Sequence, residues 1–102
     1  MDRYKESYQQ QMIGRLQLWE GKLAHLRTGA RLLEGRARRH YEARLRELEA
    51  CNRNVFGRYA DLLLADVKLY DEKRMPLDAA ARRMEELFME FALEPRTARL
   101  SP

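Results

Sequence analysis

The sequence has few of the residues that interrupt helices. It contains 5 glycines and 3 prolines in 102 residues. It also has no run of four to eight residues that alternates apolar and polar side chains between turn signals, so strands are disfavoured. Charged residues make up 35% of the chain and hydrophobic residues 45%, a balance that is typical of long helices and coiled coils. We therefore predict an all-α protein.

Signals for export or membrane insertion are also missing. The single cysteine, Cys51, cannot form an internal disulfide, and a reducing cytoplasm fits this best. The first twelve residues, MDRYKESYQQQM, lack the apolar segment of a secretory signal. No uncharged apolar run approaches the roughly 18 residues of a membrane span. We expect a cytoplasmic protein without a transmembrane segment.

Motifs for catalysis or for binding a cofactor are not found. His25 and His40 lie fifteen residues apart, and neither belongs to the Glu-x-x-His pair of a di-iron bundle. The segment GARLLEG lacks the Lys-Ser/Thr ending of a phosphate-binding loop. No pair of a nucleophile and a base can be recognised. We expect no enzymatic activity, no metal site and no cofactor.

The apolar residues that are present follow a heptad pattern through the first part of the chain. They recur at alternating steps of four and three residues, which predicts a helix with one apolar stripe. The stripe comprises Met12, Leu16, Trp19, Leu23, Leu26, Ala30, Leu33 and Ala37.

Near residue 33 the stripe shifts by one place. Three steps of four lead from Leu33 to Leu45, and such an insertion unwinds a supercoil locally without ending the helix. Charges of alternating sign also continue at steps of four from Glu34 to Arg46. The pattern predicts one helix through Gly29 and Gly35, so that alanine at either glycine should stabilise by up to ~1 kcal/mol.

Two later segments decide where this helix ends. Asn52, Asn54 and Gly57 are weak helix formers, and a break at 50–57 would give three helices. The apolar stripe continues past them, which favours one helix, with a possible bend, from about 3 to about 73. Pro76 suits the first turn of a new helix, which we predict at about 77–93. The result is an elongated helical hairpin in a single domain, 1–94, followed by a flexible tail, 95–102.

The lengths of these two helices predict association. At 1.5 Å per residue the long helix would measure ~105 Å and the return helix only ~25 Å, so the first part of the stripe would stay uncovered. An exposed apolar stripe of that size marks an interface. We predict a homo-oligomer, with a dimer favoured, or a contact with a partner helix. The predicted interface residues are Met12, Leu16, Trp19, Leu23, Leu26 and Leu33.

Positive charge is concentrated in the middle of the chain. Residues 22–46 hold eight basic and two acidic residues, a balance of +6. Three interpretations remain open: a solvated helix face, pairing with the more acidic 47–94 segment of another chain, or binding of nucleic acid or anionic lipid, which we do not favour. The residues of this possible anion-binding face, within 27–46, are Arg31, Arg36, Arg38, Arg39, Arg44 and Arg46.

A resemblance can be stated for the first fifty residues. The segments YQQQMIGRLQLWEGKLAHLRTGA and HYEARLRELEA resemble a group of small, poorly characterised bacterial coiled-coil proteins with an L-x-x-W-[DE]-x-x-[IL] pattern near the N-terminus. Leu16, Trp19, Glu20 and Leu23 match this pattern, although the chain is arginine-rich where the group has Lys, Ala and Glu. The resemblance implies a bacterial helical hairpin and implies no activity.

Taken together, these observations predict a non-enzymatic protein for protein–protein interaction or assembly, acting by coiled-coil self-association. The alternative is an accessory protein that associates with nucleic acid or with a membrane surface through its arginine-rich face.

Overall fold

Three helices form the fold, and each runs antiparallel to the one before it in the chain. The computed structural model describes residues 3–93 and contains α1 (Arg3–Ala30), α2 (Gly35–Leu63) and α3 (Tyr70–Leu93), with a 3₁₀ turn, Val67–Leu69, before α3. The bundle measures 57 × 18 × 18 Å, so the predicted all-α, elongated fold is confirmed. The predicted tail, 95–102, lies outside the described residues, and the domain bounds stay a prediction.

The single long helix predicted for 3–73 is wrong at residues 31–34. The amides of Arg31, Leu32 and Leu33 donate to carbonyls three residues back, at 3.1 to 3.2 Å, which tightens the end of α1. Glu34 is then extended, and Gly35 has a φ of 62°. This left-handed conformation is easily adopted only by glycine. Gly35 is therefore the residue that reverses the chain, and the one-place shift of the stripe marks a turn.

A tyrosine fastens α2 to α1 beside this turn. The Tyr41 hydroxyl donates to the Leu26 carbonyl at 2.8 Å, and its ring meets Phe91 of α3 edge-on at 4.9 Å. A Cβ placed on Gly29 would lie 2.6 Å from the Tyr41 hydroxyl. Gly29 thus permits this close contact. Alanine at residue 29 should crowd Tyr41, so it should not have the stabilising effect that was predicted from the sequence.

The second turn, at 64–66, precedes the predicted one. The Leu64 amide closes α2 by donating to the Ala60 carbonyl, and α3 begins at Tyr70, which is buried. Pro76 lies inside α3, so the prediction that it starts a helix is wrong. A proline inside a helix costs about 3 kcal/mol. The burial of Tyr70 before it and of Leu77 after it offsets that cost.

One apolar core runs the length of the bundle, and all three helices contribute to it. Among its fully buried side chains are Met12, Leu23, Leu48, Val55, Leu62, Leu77 and Met84. Helix α2 continues unbroken through 50–57, which confirms that part of the prediction. Asn52 is a core residue and not a turn residue. Its Nδ2 donates to Glu20 Oε1 of α1 at 3.0 Å, whereas its buried Oδ1 accepts no hydrogen bond within the described residues.

Candidate interaction surface

The residues predicted to contact another chain lie inside their own. Met12, Leu16, Trp19 and Leu23 are buried, with Trp19 3% and Leu23 0% exposed, while Leu26 and Leu33 are partly buried against the core. The reason is the turn at 31–34, which lets α2 fold back over the stripe. The premise that this stripe is uncovered was wrong. In this fold the four buried side chains are unavailable to a second chain, whereas Leu26 and Leu33 keep part of their surface in solvent.

The predicted arginines gather at one end of the bundle, on the turn 31–34 and the first three turns of α2. We call this the basic end. Of its six arginines, Arg38 pairs with Glu42 and Arg44 with Glu47, both at 3.3 Å. The remaining four are exposed and form no ion pair within residues 3–93: Arg31, Arg36, Arg39 and Arg46. The predicted ladder from Glu34 to Arg46 is thus reduced to one i,i+4 pair, because Glu34 precedes the helix.

The solvent-facing side of α1 is free of formal charge over about five turns. Its residues fall within about a third of the helix circumference, opposite the buried stripe, and none is Lys, Arg, Asp or Glu. We call them the α1 outer face: Gln10, Gly14, Gln17, Leu18, Gly21, His25 and Thr28. All seven are exposed, and Leu18 keeps 56% of its surface in solvent. Charged residues make up 35% of the whole chain, so the absence of any on this face is a clear departure from the average composition.

Three grooves border the α1 outer face, and two of them have the most apolar linings. The larger, of about 660 Å³, runs between α1 and α3, is mainly apolar and contains Leu18, Leu26, Phe88 and Phe91. The smaller, of about 330 Å³, lies between α1 and α2. Both open to solvent, so the apolar surface is wider than the helix face alone. Exposed apolar surface of this kind is typical of contact sites.

Long side chains hold α1 to α3 across the larger groove. The Lys22 ammonium lies 5.2 Å from the centre of the Phe88 ring in this groove, and Arg15 pairs with Glu85 beside a neighbouring groove of about 370 Å³ between the same two helices. Helix α3 packs more closely against α2 than against α1. The groove therefore stays open because side chains, and not close backbone contact, bridge it.

Polar contacts at the other end of α1 perturb one tyrosine. The Tyr8 hydroxyl donates to Asp78 Oδ1 of α3. Burial, and then the hydrogen bond to Asp78 and its negative charge, raise the pKa of Tyr8 well above its ordinary range. The group therefore stays protonated and acts as a hydrogen-bond donor between the helices.

Cys51 is a core-edge residue in the structure. It is partly buried, and its Sγ lies 3.6 Å from the Ala80 carbonyl oxygen. Burial raises the pKa of this thiol, although the positive charge of Arg83 opposes the effect. A thiol that is protonated and partly covered is a poor nucleophile.

Groups suited to metal binding do not assemble in the described part of the chain: no three His, Cys, Asp or Glu side chains come together there. Both His25 and His40 are exposed. Within residues 3–93, no helix combines the length and the apolar character that a membrane span requires.

Comparison with protein-family models, with curated proteins and with solved structures finds no match for this chain. The resemblance to small bacterial coiled-coil proteins therefore stays a prediction.

The sequence interpretation missed the α1 outer face because it followed apolar residues alone. A signal was present: between Ser7 and Thr28, every charged residue lies outside the sector that contains Gly14, Leu18, Gly21 and His25. The lack of charge opposite an apolar stripe can be recognised in a sequence, since a single-sided surface helix carries charge there.

Proposed function

We propose that this protein is a non-enzymatic interaction protein that self-associates through the α1 outer face. The observation that supports the proposal is the contrast between α1 and its neighbour. On α2, the seven residues opposite the core include four charged ones, and the set is Arg39, Ala43, Arg46, Ala50, Arg53, Gly57 and Asp61. The equivalent seven of α1 include none. Because the core of an interface is depleted of charged residues, α1 is the helix suited to contact another chain.

The dimensions of the bundle favour contact along its side. A lateral face of 57 × 18 Å corresponds to about 1,000 Å², and an end of 18 × 18 Å to about 320 Å². A stable interface takes about 800 Å² from each partner. An end of the bundle is smaller than that area, so a stable contact has to run along a side.

A second copy of the chain is the partner that these residues suit. Neutral polar groups such as Gln10, Gln17 and Thr28 can hydrogen-bond with their own kind, so the same face can meet itself without placing like charges together. Because the α1 outer face has no charged side chain, it does not require a partner of opposite charge. Self-association also keeps the dimer that the sequence predicted, with a different set of residues in contact.

Measurement of molar mass by light scattering over a concentration series tests the proposal. We expect wild type to be dimeric at micromolar concentration and Gly21→Arg to dissociate at least roughly tenfold more readily, because it buries an unpaired charge. Gly57→Arg is the matched control. Both glycines are exposed, lie in a helix opposite the core and have open space where a Cβ would be.

The control should associate like wild type. A wild-type protein that stays monomeric throughout the micromolar range contradicts self-association. Equal dimerisation of Gly21→Arg and Gly57→Arg contradicts the assignment to α1.

The unpaired arginines of the basic end favour a second candidate function, the binding of nucleic acid or of another polyanion. Arg36 and Arg39 are exposed and lack an ion pair within residues 3–93, which leaves them available to phosphates. If this function holds, a DNA duplex should bind with an affinity that falls steeply with salt. Replacing both arginines by Gln should reduce the slope of log affinity against log salt by about two.

Arg53→Gln with Arg58→Gln is the matched control for that experiment, since these arginines are also exposed on α2 and the charge change is equal. Equal weakening by the two double variants means that net charge, and not the basic end, controls binding. Absence of binding at physiological salt removes the second candidate.

A further inference from the structure

A pattern of small and large residues runs along the centre of the α1 outer face. Gly14, Leu18, Gly21 and His25 follow one another at steps of four, three and four residues. A Cβ on Gly14 or Gly21 would meet nothing within 4 Å. The face therefore has open spaces over its two glycines and projecting side chains at the other two positions.

We propose, building on the self-association proposed above, that two copies pair their α1 helices antiparallel about a two-fold axis near residues 19–20. In this arrangement Leu18 of each copy packs over Gly21 of the other, and His25 packs over Gly14. The pattern maps onto itself when the helix direction is reversed, because the midpoint between Leu18 and Gly21 and the midpoint between Gly14 and His25 both lie between residues 19 and 20. Each large side chain then meets a space that a glycine leaves open, which gives close packing.

A parallel pairing lacks this fit. In register, it sets Leu18 against Leu18 and glycine against glycine, so that large groups collide and voids remain between the small ones. Overpacking and unfilled space both destabilise a contact. The same four residues thus select the antiparallel orientation.

The distribution of charge selects it as well. Residues 31–46 at the basic end hold six arginines and two glutamates, a balance of +4. The opposite end, formed by 3–6 and 61–74, holds five basic and five acidic residues, a balance of zero, and Arg74 lies over the Tyr4 ring there. Parallel pairing puts two basic ends side by side. Antiparallel pairing keeps them at opposite ends of a 57 Å bundle, far beyond a Debye length of about 8 Å.

The orientation can be measured by thiol cross-linking in a Cys51→Ala background, which removes the natural thiol. Gln10→Cys and Thr28→Cys are made separately, both at exposed positions of the α1 outer face. These positions lie 18 residues apart, or about 27 Å along the helix. A bismaleimide spanning about 10 Å, well below that separation, therefore distinguishes the two orientations.

We expect a cross-linked dimer when the two variants are mixed and none when either is alone, because residue 10 of one copy then lies near residue 28 of the other. Cross-linking of each variant with itself overturns the antiparallel pairing and leaves self-association intact. A dimeric mass without any cross-link shows that another face is used and overturns the inference. A monomeric mass for wild type defeats self-association itself, so the two failures are distinguishable.

Discussion

Helices α1 and α2 are alike toward the core and different toward solvent. They have 28 and 29 residues, and each buries a stripe of large apolar side chains. Opposite the core, α2 is charged, as expected for a surface helix, whereas the α1 outer face has no charged residue. They also differ in how they meet α3, since α2 packs closely and α1 reaches it through long side chains. The fold explains the inner faces, and the lack of charge on the α1 outer face is the observation from which we propose self-association.

The largest loss of stability should come from truncating buried side chains on the inner faces of α1 and α2, and the two helices should lose similar amounts. Trp19→Ala should lower the free energy of unfolding by about 3–5 kcal/mol and Leu48→Ala by about 2–5 kcal/mol, because each leaves a cavity. The neighbouring outward residues serve as controls, and Leu18→Ala and Glu47→Ala should change stability by less than about 0.5 kcal/mol. Urea unfolding measures all four. A large loss for Leu18→Ala at nanomolar concentration would mean that its side chain is buried within one chain.

A smaller effect tests whether α1 and α2 are separate helices. Gly35→Ala should destabilise by about 1–2 kcal/mol, since its φ of 62° disfavours a side chain. Gly57→Ala, in the interior of α2, should stabilise by up to about 1 kcal/mol. Thermal melts at matched concentration decide. If Gly35→Ala also stabilises, the chain is one long helix across 31–34 and the comparison of two helices fails.

The outer faces can be compared through their glycines. At concentrations where the chain is monomeric, Gly14→Ala and Gly57→Ala should each stabilise by up to about 1 kcal/mol. Where the chain dimerises, the gain from Gly14→Ala should shrink, because its added methyl group occupies space that a second copy fills. Melts at low and high concentration measure this. Identical gains at both concentrations would place Gly14 outside the interface.

The smallest expected effect on stability comes from the hydrogen bond between Tyr8 of α1 and Asp78 of α3. The raised pKa of Tyr8 means that the folded chain holds this proton when the unfolded chain has lost it, above the usual tyrosine value of about 10. The contribution to stability is therefore complete below that pH and is lost as pH rises above it. We expect the melting temperature of Tyr8→Phe to fall less steeply than that of wild type between about pH 9 and about 11.

Two other groups with a raised pKa also contribute to the loss of stability at alkaline pH. Burial raises the pKa of Cys51 and of Tyr59, and both remain in the variant. Their share of the alkaline destabilisation is common to the two proteins. Parallel curves for wild type and Tyr8→Phe would show that the contact with Asp78 has no part in it.

The sequence was sufficient to predict the helical class and the residues of the inner stripe. Trp19 and Leu23 were predicted to be buried in an interface between chains, but they are buried within one chain. The spacing of apolar residues predicts a buried stripe and does not say which helix covers it. The turn at 31–34 was missed since it contains neither proline nor a cluster of turn residues. Its one clear signal was the shift of the stripe, which a stutter also produces.

The second turn was displaced for a similar reason. Leu63 and Val67 suggested a continuing apolar stripe, yet Leu63 is 51% and Val67 79% exposed. Pro76 attracted the predicted helix start because the rule for a first-turn proline is local. Burial of Tyr70 and Leu77 is a tertiary effect, and it outweighs that rule. The candidate surface was overlooked because only the apolar residues of α1 were followed, although the lack of charge opposite them is visible in the sequence.

The two short turns also have a kinetic consequence. Joining consecutive helices by segments of four residues or so costs little loop-closure entropy, and bundles with such local contacts fold in microseconds to milliseconds. Helices α2 and α3 pack closely and are neighbours in the chain, so we expect them to form the transition state for folding. Helix α1 must find α3 across a separation of 70 residues at Tyr8 and Asp78, and it should dock last.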